Sequence, residues 1–344
     1  MSDCPERPII VVGCPRSGTT MLQLMLHAHP RIAIPPETRF VLAAYRERRD
    51  FGDLRVEANR RALARRIVDR RETRFCDLGL DPEETVERMA AAQGTLGSVL
   101  GTVFQGYAAR FGKPRWGDKR PAYLHNVDLL LRLFPDAQFV NIVRDGRDCV
   151  ASLKEMSWHR KDIYATVAAW ARAVDDARRA ARRLGDSQWF ELRYEDLVTD
   201  PHTQLTALCD YLGEDYDPAM AEPSAVAEVA VPSFKTWHAR THAPVNTERV
   251  RSWETRLTTE EIALCEAALG RRLLANGYEL SRNARPSPAD LVRYGWTATP
   301  QRFIPARRRI SRAAVRLRPT EDLAHLPTAP LPRAAEGAET AAHS

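Results

Sequence analysis

The sequence predicts an α/β fold, a doubly wound sheet of mainly parallel strands with helices on both faces, and two observations carry that expectation. Short continuous apolar runs, "PIIVVG" (8–13) and "QFVNIV" (138–143), show no polar alternation, the pattern of strands covered on both faces. Each run passes through a turn into a helical pattern, so strands and helices alternate along the chain. Parallel neighbours joined by such crossovers make an open sheet, and ligands in these sheets lie at the carboxyl ends of the strands.

The elements follow in order. "PIIVVG" enters a turn beginning at Gly13 and continues into "TTMLQLMLHA", apolar at Met21, Leu22, Leu24, Met25 and Leu26, a mostly buried helix. "RIAIP" is a second short strand. Residues 38–111 read as a helical insert with arginine-rich polar faces and weak punctuation at Gly79 and Gly94. "NVDLLLRLFPDAQFVNIVRDGRD" repeats the pattern: a helix closed near Pro135, a strand, and a turn at Gly146. "QWFELRYEDL" gives one more strand, followed by a helix from Pro201 to Leu212. Residues 1–284 are thus assigned to one α/β domain. Residues 285–344 form a basic, Pro/Ala-rich extension, partly disordered by composition.

A chain of 344 residues with 44% apolar and 28% charged content has ample material for a large core. Cys4, Cys14, Cys76, Cys149, Cys209 and Cys265 are scattered without a C-x-x-C pair, which predicts reduced thiols and no zinc site. The first apolar run, Ile9 to Val12, is too short for a secretory signal, and no stretch approaches the roughly 20 apolar residues of a membrane span. A cytoplasmic protein is expected. Net charge is +6, and Arg282 to Arg318 holds ten arginines and one acid, Asp290. That segment fits peripheral contact with an anionic membrane or a solvated tail; no nucleic-acid partner is expected.

The chemistry concentrates in G-C-P-R-S-G-T-T, starting at Gly13. It has the spacing of a nucleotide-triphosphate loop, but Thr19 stands where the lysine belongs, and Arg16 lies three residues earlier. Backbone N–H groups and the N-terminus of the next helix still supply donors and positive potential for a phosphate. Ser17, Thr19 and Thr20 add hydroxyls around Gly18. "QFVNIV" ends in Arg144 and not in a magnesium-binding aspartate. The site reads as built for an anhydride held by arginines and hydroxyls without a metal, such as an adenylyl phosphosulfate.

"CPRSGTT" resembles the 5′-phosphosulfate loop of the sulfotransferases that use 3′-phosphoadenosine-5′-phosphosulfate (PAPS). "VRDGRDCVASL" resembles that family's 3′-phosphate motif, which implies roles for Arg144 and Ser152. "RWGDKRPAYL" resembles the segment whose lysine contacts the phosphosulfate, here Lys119, and "RYEDLVTDP" the stretch whose tyrosine lies near the adenine, here Tyr194. The resemblance therefore implies a P-loop-like fold and nucleotide contacts from Arg16, Ser17, Gly18, Thr19, Thr20, Lys119, Arg144, Ser152 and Tyr194, with no metal. It also implies sulfation of a hydroxyl with release of 3′-phosphoadenosine-5′-phosphate (PAP). A soluble chain without disulfides or a targeting sequence is expected to meet a carbohydrate, lipid or small-molecule acceptor and not a peptide tyrosine. The plain alternatives are a surface lysine beside Asp118 for Lys119, and ion pairs with Asp145 or Asp148 for Arg144.

Arg16 and Lys119 are the residues expected to stabilise developing charge. "PETR" resembles the tyrosylprotein branch, where a glutamate at this spacing is the base, which assigns that role to Glu37. Other branches use histidine, so His27, His29, His125 and His159 compete; spacing puts the first two at the far end of the helix after the loop. "PVNTERVRSWETRLT" resembles the late segment that folds over the nucleotide, but Ala243 replaces the branch's lysine before "PVN". Arg249 or Arg251 then becomes the candidate clamp. Two other classes stay open: a P-loop kinase-like phosphotransferase needing magnesium, and an anionic-surface binding protein that uses the basic tail.

Overall fold

The computed structural model describes residues 7–226, 245–281, 285–299 and 322–326. Ala243, most of the arginine-rich stretch and the Ala/Pro-rich end lie outside the described residues. The chain begins β1 (Ile9–Gly13), α1 (Thr19–Ala28) and β2 (Ile32–Ala33). The insert contributes α2 (Phe40–Glu47), α3 (Glu57–Asp69), α4 (Pro82–Ala91) and α5 (Leu96–Arg110). Then come β3 (Arg115–Lys119), α6 (Val127–Leu133), β4 (Gln138–Val143), α7 (Gly146–Lys154), α8 (Ile163–Leu184), β5 (Trp189–Arg193), α9 (Tyr194–Thr199) and α10 (Pro201–Leu212). Two later helices are α11 (Trp253–Arg256) and α12 (Thr259–Leu274), and another spans 288–299.

The strands form one sheet in the order β2-β3-β1-β4-β5, and every neighbouring pair is parallel. Alternate residues of β1 feed two separate cores. Ile9 and Val11 pack with Leu22, Met25 and Leu26 of α1 and with Leu205, Leu208 and Leu212 of α10. Ile10 and Val12 belong to the other cluster, with Val99 and Val103 of α5, Trp170 of α8 and Leu269 of α12. Helices therefore cover both faces, and the fold is the expected α/β architecture.

"RWGDK" is a strand that hydrophobic patterning does not reveal. Its polar residues are buried yet bonded within the fold: Arg115, 2% exposed, donates to the Leu212 carbonyl at 2.7 Å and to Glu214 at 3.1 Å. From β1 the chain moves to the β2 edge and fills in β3, whereas from β4 it moves the other way to β5. β1 and β4 thus flank a topological switch point, where such sheets leave a crevice at their carboxyl ends.

Residues 322–326 return to the insert. The amides of Leu96 and Gly97, in the first turn of α5, donate to the carbonyls of Asp322 and Leu323 at 3.0 and 2.8 Å. Among the described residues, no helix is long and apolar enough to cross a membrane.

His27 and His29 are both buried. His29 Nε2 lies 2.9 Å from the Asp215 carbonyl, and His27 Nδ1 accepts from the Ile34 amide at 3.2 Å. Burial, helped by Lys113 and Arg110, pulls the His27 imidazole down to about 3. An unfolded chain takes up that proton near pH 6.5, so stability should fall as pH drops from about 6.5 towards 3. Replacing His27 by Gln is expected to flatten that fall, as measured by urea unfolding over a pH series.

Candidate active site

Because all strands run the same way, the segments that follow them share one rim. They are the loop at 14–18 after β1, Glu37 after β2, Lys119 closing β3, Arg144 after β4 and Tyr194 after β5. The loop is closed from within. Both the amide and the hydroxyl of Ser17 donate to the Cys14 carbonyl, at 3.1 and 2.7 Å, and Ser17 is fully buried. Its hydroxyl builds the loop. Arg16 sits at φ 72°, a left-handed conformation that costs a non-glycine residue energy. Gly18, at φ 98°, starts α1 where a Cβ would lie 2.6 Å from the Tyr194 ring.

The α1 N-terminus has no side-chain cap and no acid in its first turn. It therefore presents amides and the positive end of the helix dipole towards the crevice. Around it the side chains are cationic. Arg16 Nε donates to Ser152 Oγ at 2.9 Å, which joins the loop to α7. Arg144, 6% exposed, donates from Nη1 to the Arg16 carbonyl at 3.0 Å and from Nη2 to the Arg249 carbonyl at 2.6 Å. Its guanidinium stands 4.4 Å from the centre of the Tyr194 ring. Burial, and next the charge of Arg144, hold the Arg16 guanidinium below its ordinary value. Lys119 is 4% exposed, so it is no surface lysine, and its Nζ lies 3.5 Å from Thr20 Oγ1.

The R-D-G-R-D turn divides its labour. Asp145 caps α7 and pairs with Arg147 at 2.7 Å, and Arg147 also reaches Glu266 at 2.6 Å and lies 3.9 Å from the Trp253 ring centre. Asp148 is 3.9 Å from Arg144 and accepts at Oδ1 from Ser252 Oγ and the Trp253 amide, both at 2.8 Å. Burial pushes the Asp148 carboxyl upward against the pull of Arg144. Arg144 is therefore only loosely paired with one of the two candidate acids. Asp148, Ser252 and Trp253 form a support that no local pattern announced, because its parts lie 104 positions apart.

Glu37 is half-buried, with Oε1 at 3.9 Å from Nε of both Arg39 and Arg120. The competing histidines have partners elsewhere. His125 Nδ1 lies 2.6 Å from Asp176, and His159 Nε2 lies 2.7 Å from Thr166 Oγ1. Of the two clamp candidates, Arg249 meets Arg144 through its carbonyl, and Arg251 pairs with Glu254 at 2.7 Å. No group of three or more His, Cys, Asp and Glu able to hold a metal ion occurs among the described residues.

A parallel sheet with an uncapped helix N-terminus and arginine side chains at its switch point defines an α/β protein with a glycine-containing loop after its first strand. The sulfotransferase family model matches residues 8–218, and the chain belongs to that family. It is 27% identical over 260 residues to chicken protein-tyrosine sulfotransferase 2, covering 72% of this chain and 63% of that one. It is 29% identical over 307 residues to the nodulation protein NoeE of Sinorhizobium fredii, covering 81% of this chain and 68% of the relative. Its fold is similar to the sulfotransferase domain of the Synechococcus PCC 7002 olefin synthase, with TM-score 0.56 and 23% identity over 81% of this chain and 98% of that domain.

Gly18→Ala should destabilise the protein by about 1–3 kcal/mol through its φ alone, and by more through the clash with Tyr194. Chemical denaturation measures this directly. A loss below 0.5 kcal/mol would mean that the loop relaxes freely.

Proposed function

We propose that this protein moves the sulfuryl group of PAPS to a hydroxyl of a carbohydrate, lipid or small-molecule acceptor and releases PAP. The observation that carries the reading is the convergence of Arg16, Lys119 and Arg144 on a loop whose usual lysine is replaced by Thr19. PAPS supplies the activated sulfuryl group, and the protein's work is to hold it, orient it and neutralise charge. The amides of residues 16–20 with Arg16 and Lys119 take the 5′-phosphosulfate. Arg144 and Ser152 take the 3′-phosphate, and Tyr194 borders the adenine. The buried Nε of Arg144 has no hydrogen-bond partner among the described residues, which fits an anionic oxygen as its acceptor. Charge neutralisation by these cations calls for no metal ion.

Glu37 takes the acceptor proton. Its carboxylate is paired only at 3.9 Å and is partly open to the rim, which leaves it able to bond a hydroxyl. The names of the two relatives point to different acceptors, a protein tyrosine and one connected with nodulation. The unpaired Cys14, Cys76, Cys149, Cys209 and Cys265 support a reducing, cytoplasmic setting.

Three measurements test this reading. PAP at about 100 times its Kd should stabilise the fold by roughly 2.7 kcal/mol, and a response to ATP with magnesium alone would favour the kinase reading. Glu37→Gln should lower kcat by about 10²- to 10⁴-fold with PAP affinity unchanged, and near-normal turnover would remove Glu37 from the role. Arg144→Ala should weaken PAP far more than the same nucleotide without its 3′-phosphate; equal losses would make Arg144 structural. A mass-resolved acceptor screen with labelled PAPS then identifies the hydroxyl.

A further inference from the structure

One buried carboxylate joins the segments that carry Glu37 and Lys119. Asp118, 1% exposed, immediately precedes Lys119 on β3. Its Oδ1 accepts from the Lys119 amide at 2.8 Å. Its Oδ2 accepts from Thr38 Oγ1 at 2.9 Å and from the Tyr123 hydroxyl at 2.5 Å. Thr38, the residue after Glu37, and Tyr123 are both fully buried.

The link to Thr38 matters because sheet pairing has ended by then. β2 meets β3 only at Ile32 and Ala33, opposite Arg115 and Trp116. Pro35 and Pro36 follow, and proline has no N–H with which to extend the ladder. Beyond the prolines, the Arg39 amide is tied to the Thr73 carbonyl at 3.0 Å, on the insert side. Besides the 3.9 Å ion pair between Glu37 and Arg120, just after β3, the hydroxyl bond of Thr38 registers Glu37 against β3.

We propose that Asp118 is a positioning residue for sulfuryl transfer: ionised, it fixes Glu37 relative to Lys119 through Thr38. This rests on the reading of Glu37 as the base. As a carboxylate Asp118 accepts all three hydrogen bonds with charge assistance, whereas the protonated acid is a neutral and weaker acceptor for each of them. Burial pushes the Asp118 carboxyl up to about 6, while Tyr123, Thr38, the Lys119 amide and the charge of Arg120 pull it down. The other charged groups on the joined segments are Glu37, Arg39, Arg115 and Lys119, with Arg39 and Arg120 each 3.9 Å from Glu37. As pH falls through about 6 the Thr38 bond loses its charge assistance, Glu37 is held less firmly, and the chemical step slows.

The test uses single-turnover rates of the full chain with PAPS and an acceptor found by the screen. Thr38→Val keeps the shape and removes the hydroxyl; it should slow transfer by about 10- to 100-fold with PAP binding unchanged, because small misplacements carry penalties of that size. Thr38→Ser should restore the rate. In a Glu37→Gln background the same Thr38→Val change should cost nothing further, since Thr38 acts through Glu37. An equal cost in both backgrounds, or a wild-type rate for Thr38→Val, overturns the proposal. Near-normal transfer by Glu37→Gln alone instead overturns the base assignment, so the two failures are distinguishable. Should Thr38→Val fold poorly, Tyr123→Phe gives a second readout. Loss of one donor raises the Asp118 carboxyl, so the acid limb of the rate profile should move to higher pH. An unmoved limb refutes the idea.

Discussion

The guanidinium of Arg144 holds the rim together. It reaches the loop after β1 through the Arg16 carbonyl, the late segment through the Arg249 carbonyl, and the end of β5 through the face of Tyr194. Trp170 of α8 donates to the Arg144 carbonyl at 3.1 Å, which fixes the backbone from which the side chain extends. Arginine suits this place because its planar fork keeps its charge and offers five donors in set directions. The same arrangement crowds two guanidiniums, Arg16 and Arg144, against one loosely placed carboxylate, Asp148.

Much of this was legible. The runs at 8–13 and 138–143 gave β1 and β4, because strands covered on both faces are apolar without alternation. The helix at 201–212 was bounded by Pro201 at its start and Gly213 just beyond its end, with Asp200 supplying the cap. The far position of His27 and His29 followed from helical spacing alone. β3 was not legible as a strand, since Arg115, Asp118 and Lys119 mask it and only tertiary partners make their burial tolerable. The support from Ser252 and Trp253 to Asp148 was equally hidden, since bonds across 104 and 105 positions leave no local periodicity. Ser17 read as a ligand-facing hydroxyl, yet it is turned inward to Cys14.

The charged turn after β4 shows how one short motif serves two ends. Arg144 faces the crevice, and Asp145 and Arg147 form a buried scaffold with Glu266, Glu195 and Tyr278 behind it. Buried ions of this kind are tolerated only when each has close partners, and here the partners come from α7, α9 and α12 together. These bonds tie the turn after β4 to α9 and α12.

The return of residues 322–326 to the insert sets a schedule for the ribosome. The first turn of α5 obtains acceptors for two of its amides from Asp322 and Leu323, more than two hundred positions downstream. At about 5–20 residues per second, roughly 10–45 s pass between synthesis of that helix and arrival of its partner. During that interval the amides of Leu96 and Gly97 lack these two acceptors, so the first turn of α5 is completed only after the rest of the described chain has been made.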